Sequence, residues 1–125
     1  MIKGIGIDLV ENDRIKVLYD KYGIKFAKKI LSDIEFDEFL NINSSSEYLS
    51  KNFASKEALS KALGTGLYRK GVFPSAITVA HTTSGKPFFL IDMFLEKLLY
   101  ELSASSLHLS ISDSNRHSIA MVIME

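Results

Sequence analysis

Cysteine is absent from all 125 residues, which removes disulfides, thiolate metal sites and thiol nucleophiles together. An excess of charge is missing too. Fifteen basic side chains stand against 15 acidic ones, so no global field points to nucleic acid or to an anionic membrane. Long apolar runs are lacking: the opening MIKGIGIDLVE is short and interrupted by Asp8, and it is neither a signal peptide nor a membrane span. A Ser-His-Asp arrangement, a Walker-type phosphate loop, internal repeats and low-complexity tracts are likewise absent. His81, His108 and His117 are scattered without metal-ligand spacing and read as turn or strand-edge residues. These exclusions leave a soluble, cytoplasmic protein. One domain, residues 1–125, is expected, long enough to bury roughly two-thirds of its unfolded surface.

What is present centres on Asn52–Gly66, NFASKEALSKALGTG. Good helix formers (Ala54, Lys56, Glu57, Ala58, Leu59, Lys61, Ala62, Leu63) fill this stretch, and Gly64 takes the left-handed cap position. On a helical wheel, Phe53, Glu57, Ser60, Lys61 and Gly64 share one narrow face. Tyr48, Leu49, Ala54, Ala58, Leu59, Ala62 and Leu63 spread over most of the rest, so the helix should be largely buried. Glu57 and Lys61 admit two readings. One is an i,i+4 surface pair worth about 0.2–0.5 kcal/mol. The other is a site: a carboxylate for a cation, an ammonium one turn on, and a glycine corner, which together suit a phosphate-bearing ligand.

From the N-terminus, Ile2–Val10 alternates as a strand, with Ile5, Ile7 and Leu9 on one face and Gly4, Gly6, Asp8 and Val10 on the other. The two glycines leave room for a close approach by ligand or backbone. Asn12 and Asp13 are placed to cap a helix from Arg14 to Tyr22, which leaves Asp8 without a structural duty. A second helix is expected at Ile24–Leu31. Ser32 with Glu35 is a capping-box signature for a third, Asp33–Leu40, followed by a polar loop over 41–46. Between Arg14 and Lys29 there are six bases and one acid, whereas Asp33–Glu47 carries five acids and no base. That segregation is either a solvated face or a docking surface for an acidic partner.

Beyond the glycine corner, a basic loop carries Arg69 and Lys70. Strands are expected at Ser75–Ala80 and Pro87–Ile91, joined by a hairpin that turns on Gly85. A helix at Asp92–Leu102 follows, then strands at Leu107–Ser112 and His117–Met124 joined through Asp113–Arg116. The final strand is apolar on both faces and wants cover on both, so it should be central or packed at a subunit contact. The expected fold class is α+β, a largely antiparallel sheet packed against a long central helix.

The segments GIGIDLVENDRI, FASKEALSKALGTG, SGKP and LHLSISDS with HSIAMVI together resemble the holo-acyl-carrier-protein synthases, the small bacterial class of 4′-phosphopantetheinyl transferases. The resemblance covers essentially the whole chain, in order and spacing. It implies a homotrimer with active sites at the subunit contacts. Asp8 and Glu57 would bind Mg²⁺, with Lys61 and the Gly64-Thr65-Gly66 corner along coenzyme A. Lys86 and Pro87 would line the coenzyme A cleft. The Arg14 helix, with Lys21, Lys25 and Lys28, would dock the acidic acyl carrier protein. The implied reaction moves 4′-phosphopantetheine from coenzyme A to a carrier serine and releases adenosine 3′,5′-bisphosphate. Asp8, Glu57 and Lys61 would carry the catalysis, and Glu57, directly or through a water, is the candidate base.

Two positions depart from the family pattern. Asn52 stands where many members have an arginine, and Lys51, about 100° away on a helix, is not placed to replace it. Asp113 stands where some members have a histidine and others, as here, an aspartate; it suits a metal-bound water or a ribose hydroxyl better than phosphate. Two rival functions use the same residues. One is a metal-dependent phosphohydrolase with water as nucleophile; the other is a non-catalytic module that binds an acidic protein.

Overall fold

The computed structural model describes residues 1–43 and 45–125; Ser44, inside the polar loop expected at 41–46, lies outside the described residues. The chain runs β1 (Gly4–Glu11), α1 (Asn12–Tyr22), α2 (Ile24–Ile30), α3 (Asp33–Asn41), α4 (Ser46–Leu63), a 3₁₀ turn (Pro74–Ala76), β2 (Val79–His81), β3 (Pro87–Phe89), α5 (Met93–Glu101), β4 (Leu107–Asp113) and β5 (His117–Met124). One antiparallel sheet has the order β1-β5-β4, and β2-β3 forms a separate antiparallel pair. The mixed, largely antiparallel architecture around a long helix is the one expected, and β5 is central, as its apolar faces require.

The sheet lies on α4 through side chains that are small or absent. Ala54, Ala58 and Ala62 are buried at helical spacing along α4. A Cβ added at Gly6 would stand 1.8 Å from the Ala58 carbonyl oxygen, and one at Gly4 2.1 Å from that of Ala62. The room that these glycines leave is therefore filled by helix backbone. Two strand residues advance about 6.8 Å and four helical residues about 6.0 Å. Gly4 can thus meet Ala62 and Gly6 meet Ala58 as the elements run in opposite directions. Around this contact the core gathers Phe39, Leu49, Leu59, Val72, Ala120 and Val122, all at most 1% exposed.

Among the described residues nothing covers the other face of the sheet at β1. Ile5, Ile7 and Leu9 are 60%, 53% and 62% exposed, and they pair in register with Ile123, Met121 and Ile119. Exposed aliphatic clusters of this form are characteristic of interaction surfaces.

Several local signals are realised as read. Ser32 and Glu35 form the capping box, Gly64 caps α4 at φ 78°, and Asp92 caps α5 through the Leu95 amide. Gly85 turns the β2–β3 hairpin at φ 91°. Three expectations need correction. Helix α1 begins at Asn12, and neither Asn12 nor Asp13 caps it. Asn12 is instead buried, donating to the Ser114 carbonyl at 3.0 Å and accepting from the Ser118 hydroxyl at 2.8 Å, which ties α1 to the β4–β5 turn. The strand expected at Ser75–Ala80 is mostly absent: Pro74 starts a 3₁₀ turn, closed by the Ile77 amide on the Pro74 carbonyl, and only Val79–His81 pairs. Its partner stops at Phe89.

An ion pair invisible to helical periodicity locks the layers together. Glu35 and Lys56 are both 0% exposed and are bonded to each other. The Lys56 ammonium also donates to the Ile30 carbonyl at 2.6 Å. Glu35 accepts from the Ser32 amide at 2.8 Å and the Val79 amide at 2.7 Å. One network thus joins the end of α2, the start of α3, the middle of α4 and β2. Burial pushes the Lys56 ammonium below its ordinary range, and Glu35 opposes that shift. Removing one partner strands a buried charge, so Glu35→Ala is expected to cost about 3–5 kcal/mol. Glu35→Leu combined with Lys56→Met should recover most of that loss. Urea unfolding checks both; a Glu35→Ala variant within about 1 kcal/mol of wild type would show the pair to be unimportant.

Candidate active site

The backbone contact between β1 and α4 decides what surrounds Asp8. Two residues beyond Gly6 on the same strand face, Asp8 reaches the edge of the small-residue stripe, where α4 presents Glu57 and Lys61. The Lys61 ammonium donates to the Asp8 carboxylate at 3.1 Å and to the Ile7 carbonyl at 2.9 Å. The bland reading of Glu57 and Lys61 as a mutual surface pair therefore fails, since Lys61 reaches across to β1. Its side chain remains 51% exposed against 16% for Asp8, so the ammonium is held yet open to a ligand.

These three residues line one cleft of about 440 Å³, which also takes in Glu11 and Arg14 and is walled by Leu18, Phe26 and Phe53. Burial pushes the Glu57 carboxyl up from its ordinary range. The Asp8 carboxylate adds to the rise and Lys61 opposes it. Two carboxylates facing one cleft suit a hard divalent cation, which relieves their repulsion. Among the described residues no group of three or more His, Cys, Asp or Glu is placed to hold a metal. A cation here would take two oxygen ligands from the chain and the rest from water or a phosphate, a mixture that fits Mg²⁺. The donor set therefore fits such an ion.

The other residues singled out from the sequence are distributed as follows. Arg14 shares the cleft. Gly64, Thr65 and Gly66 form the corner that ends α4, where the amides of Thr65 and Gly66 both bond to the Ser60 carbonyl. Lys86 and Pro87 lie on the β2–β3 hairpin and exposed Asp113 ends β4; none of these three lines the cleft. Lys21 and Lys28 lie over the rings of Tyr22 and Phe36, each at 5.2 Å. Lys25 and Lys29 line a neighbouring hollow with Leu18, Tyr22 and Phe26. Phe26 was not singled out by sequence reasoning; its apolar place on a short basic helix is the only signal that it walls the cleft. At the departure from the family pattern, Asn52 is buried and donates to the Tyr48 carbonyl at 3.0 Å, while its Oδ1 has no partner among the described residues. Lys51 and Asn52 line one cavity of about 210 Å³ with Tyr48 and His81.

The sequence profile of the 4′-phosphopantetheinyl transferase superfamily matches residues 4–122. A holo-acyl-carrier-protein synthase of Nitrosospira multiformis is 46% identical over 125 residues, covering 100% of this chain and 99% of that protein. The crystal structure of a holo-acyl-carrier-protein synthase from Neisseria meningitidis superposes with a TM-score of 0.93 at 42% identity, covering 100% and 99% of the two chains. A Bacillus anthracis synthase, solved in complex with CoA (3′,5′-ADP), superposes with a TM-score of 0.81 at 35% identity, covering 99% and 96%.

The electrostatics of the cleft make an ordered prediction for the cation-free protein. The Glu57 midpoint, followed by carboxyl-carbon NMR, should lie above that of an ordinary glutamate. Asp8→Asn removes the like charge and should lower it; Lys61→Met removes the opposing cation and should raise it further. An Asp8→Asn midpoint equal to or above that of wild type would contradict the coupling.

Proposed function

We propose that this chain, which belongs to the 4′-phosphopantetheinyl transferase superfamily, transfers 4′-phosphopantetheine from coenzyme A to a serine of an apo-acyl carrier protein. The observation that carries the reading is the convergence of Asp8, Glu57 and Lys61 on one cleft. It occurs in a chain aligned end to end with holo-acyl-carrier-protein synthases. In the reaction, the carrier serine oxygen forms a bond to the β-phosphorus of coenzyme A. The bond from that phosphorus to the bridging oxygen breaks, and adenosine 3′,5′-bisphosphate leaves. The serine proton passes to the Glu57 carboxylate, directly or through a water that it orients.

Asp8 and Glu57 would hold Mg²⁺, which supplies charge neutralisation at the pyrophosphate. Lys61, braced by Asp8 and the Ile7 carbonyl, orients its ammonium toward phosphate oxygens. Phe26 and Phe53 limit water at the reacting end of the cleft. The Gly64-Thr65-Gly66 corner, Lys86, Pro87 and Asp113 contact the remainder of coenzyme A. Arg14, Lys21, Lys25 and Lys28 receive the acidic carrier. Residues 1–125 form one transferase domain, and the enzyme works in the cytoplasm. Among the described residues no helix is long and apolar enough to cross a membrane.

The uncovered face of Ile5, Ile7, Leu9, Ile119, Met121 and Ile123 supports a homotrimer in which each sheet packs on its neighbours. Residues that lie off the cleft of their own chain are then available at the subunit contacts. Light scattering should give a mass near three times 14.0 kDa. A monodisperse, fully active monomer would rule out a shared site.

Incubation with coenzyme A, Mg²⁺ and apo-carrier protein should add the mass of one phosphopantetheine group to the carrier. Coenzyme A cleavage without carrier modification would instead identify a hydrolase. Asp8→Ala and Glu57→Ala should each abolish transfer while leaving the melting temperature within a few degrees of wild type. Each lies at the cleft and outside the core. Transfer within a few-fold of wild type in either variant would remove that residue from the site.

A further inference from the structure

Three hollows succeed one another over the α1–α2 surface and share lining residues. Leu18 and Phe26 wall the Glu57 cleft and also line a second hollow, of about 430 Å³, with Tyr22, Lys25 and Lys29. Lys29 in turn lines a third, of about 470 Å³, with Lys28, Tyr68, Phe73 and Pro74. The linings of the second and third hollows contain three lysines and no carboxylate. Exposed Arg69 and Lys70 follow Tyr68 on the same loop. On the opposite flank of α1, the hollow beside Arg14 also holds Glu11 and Asp13. The unbalanced positive charge therefore lies on the α2 side, where it attracts an acidic protein face, while the charges beside Arg14 are mixed.

The far end of this track has a built apolar feature. Tyr68 and Phe73 are 62% and 46% exposed, and their rings meet edge to face with centroids 6.0 Å apart. Tyr68 sits at φ 65°, a left-handed conformation that is costly for a bulky side chain. The loop holds it there through the Tyr68 amide on the Val72 carbonyl at 2.8 Å and the Val72 amide on the Arg69 carbonyl at 2.9 Å. A strained loop is thus closed on itself while presenting two aromatic rings to water, ringed by cations. Large aromatic side chains of this sort carry the energy of protein interfaces, and exposed charges around them steer encounter.

We propose that the Tyr68–Phe73 loop completes the distal half of the carrier-docking surface, beyond the α2 lysines already assigned to it, where an acidic protein face places an apolar side chain against the Tyr68 and Phe73 rings. The proposal rests on the transfer reaction inferred above. The first half of the surface, near Arg14, positions the carrier serine, and the distal half fixes the carrier's orientation around it.

Equilibrium binding of fluorescently labelled apo-acyl carrier protein tests the surface without turnover; the transfer rate of the wild-type protein tests the reaction separately. Tyr68→Ser combined with Phe73→Ser, both exposed positions, should weaken carrier binding at least about tenfold. Affinity for coenzyme A should stay within twofold, and the light-scattering mass should not change. Arg69→Glu with Lys70→Glu should also weaken carrier binding and flatten its dependence on salt. Three results would overturn the proposal: carrier binding within twofold of wild type in both double variants, an equal loss of coenzyme A affinity, or dissociation of the assembly. The second would assign the loop to coenzyme A, and the third to a subunit contact.

Discussion

Backbone against backbone, with no side chain between, is the contact on which the rest of this structure depends. At Gly6 any Cβ would collide with the Ala58 carbonyl, and at Gly4 with that of Ala62. The strand can therefore lie on the helix only because those side chains are missing. The match between a two-residue strand step and a four-residue helical step repeats the contact along the pair. Its consequence appears one strand step further on. Asp8 is delivered to the helix flank at the level of Glu57 and Lys61, closely enough for a 3.1 Å bond between the Lys61 ammonium and its carboxylate. Chemistry at this site is thus a by-product of close packing nearby.

The same contact explains how an acid pair survives at a half-buried position. Burial raises the proton affinity of Glu57, and the Asp8 carboxylate facing the same cleft adds to the rise. The core beneath supplies the rigidity to hold them. Lys56, one residue away from Glu57 along the helix, and its partner Glu35 on α3 are both fully buried and fasten α4 to α2, α3 and β2. A buried ion pair adds little net stability compared with well-packed apolar side chains, but each hydrogen bond of this network ties a different element to α4 or α3. For a cleft walled by α1, α2, β1 and α4, those ties matter more than an extra kilocalorie.

Much of the architecture was legible because local chemistry and tertiary need agreed. Ser32 with Glu35, Gly64, Gly85 and the alternation of β1 each specify one local conformation, and the structure adopts it. Asp8 stood out because no local structural role absorbed it, Glu57 and Lys61 admitted a site as well as a surface pair, and the family resemblance gave the three a common purpose. What escaped the sequence was long-range. The partner of Glu35 lies 21 residues away, and a lysine among helix formers gives no sign of burial. Asn12 looks like a cap until a hairpin more than 100 residues later claims its side chain. Ser75–Ala80 has strand composition, yet Pro74 diverts its first half into a 3₁₀ turn. The apolar row of Ile5, Ile7 and Leu9 was visible, but only the register shows that it faces away from α4 beside Ile119, Met121 and Ile123.

The central claim is that glycine-mediated packing brings Asp8 and Glu57 together to hold one divalent cation against the pyrophosphate of coenzyme A. Diffraction from crystals grown with Mn²⁺ and coenzyme A addresses it directly, because the anomalous signal locates the ion without reference to activity. The account predicts a single strong anomalous peak between the Asp8 and Glu57 carboxylates, within bonding distance of both and of a phosphate oxygen. A fully occupied coenzyme A with no peak there, or with the ion held by other side chains, would contradict it.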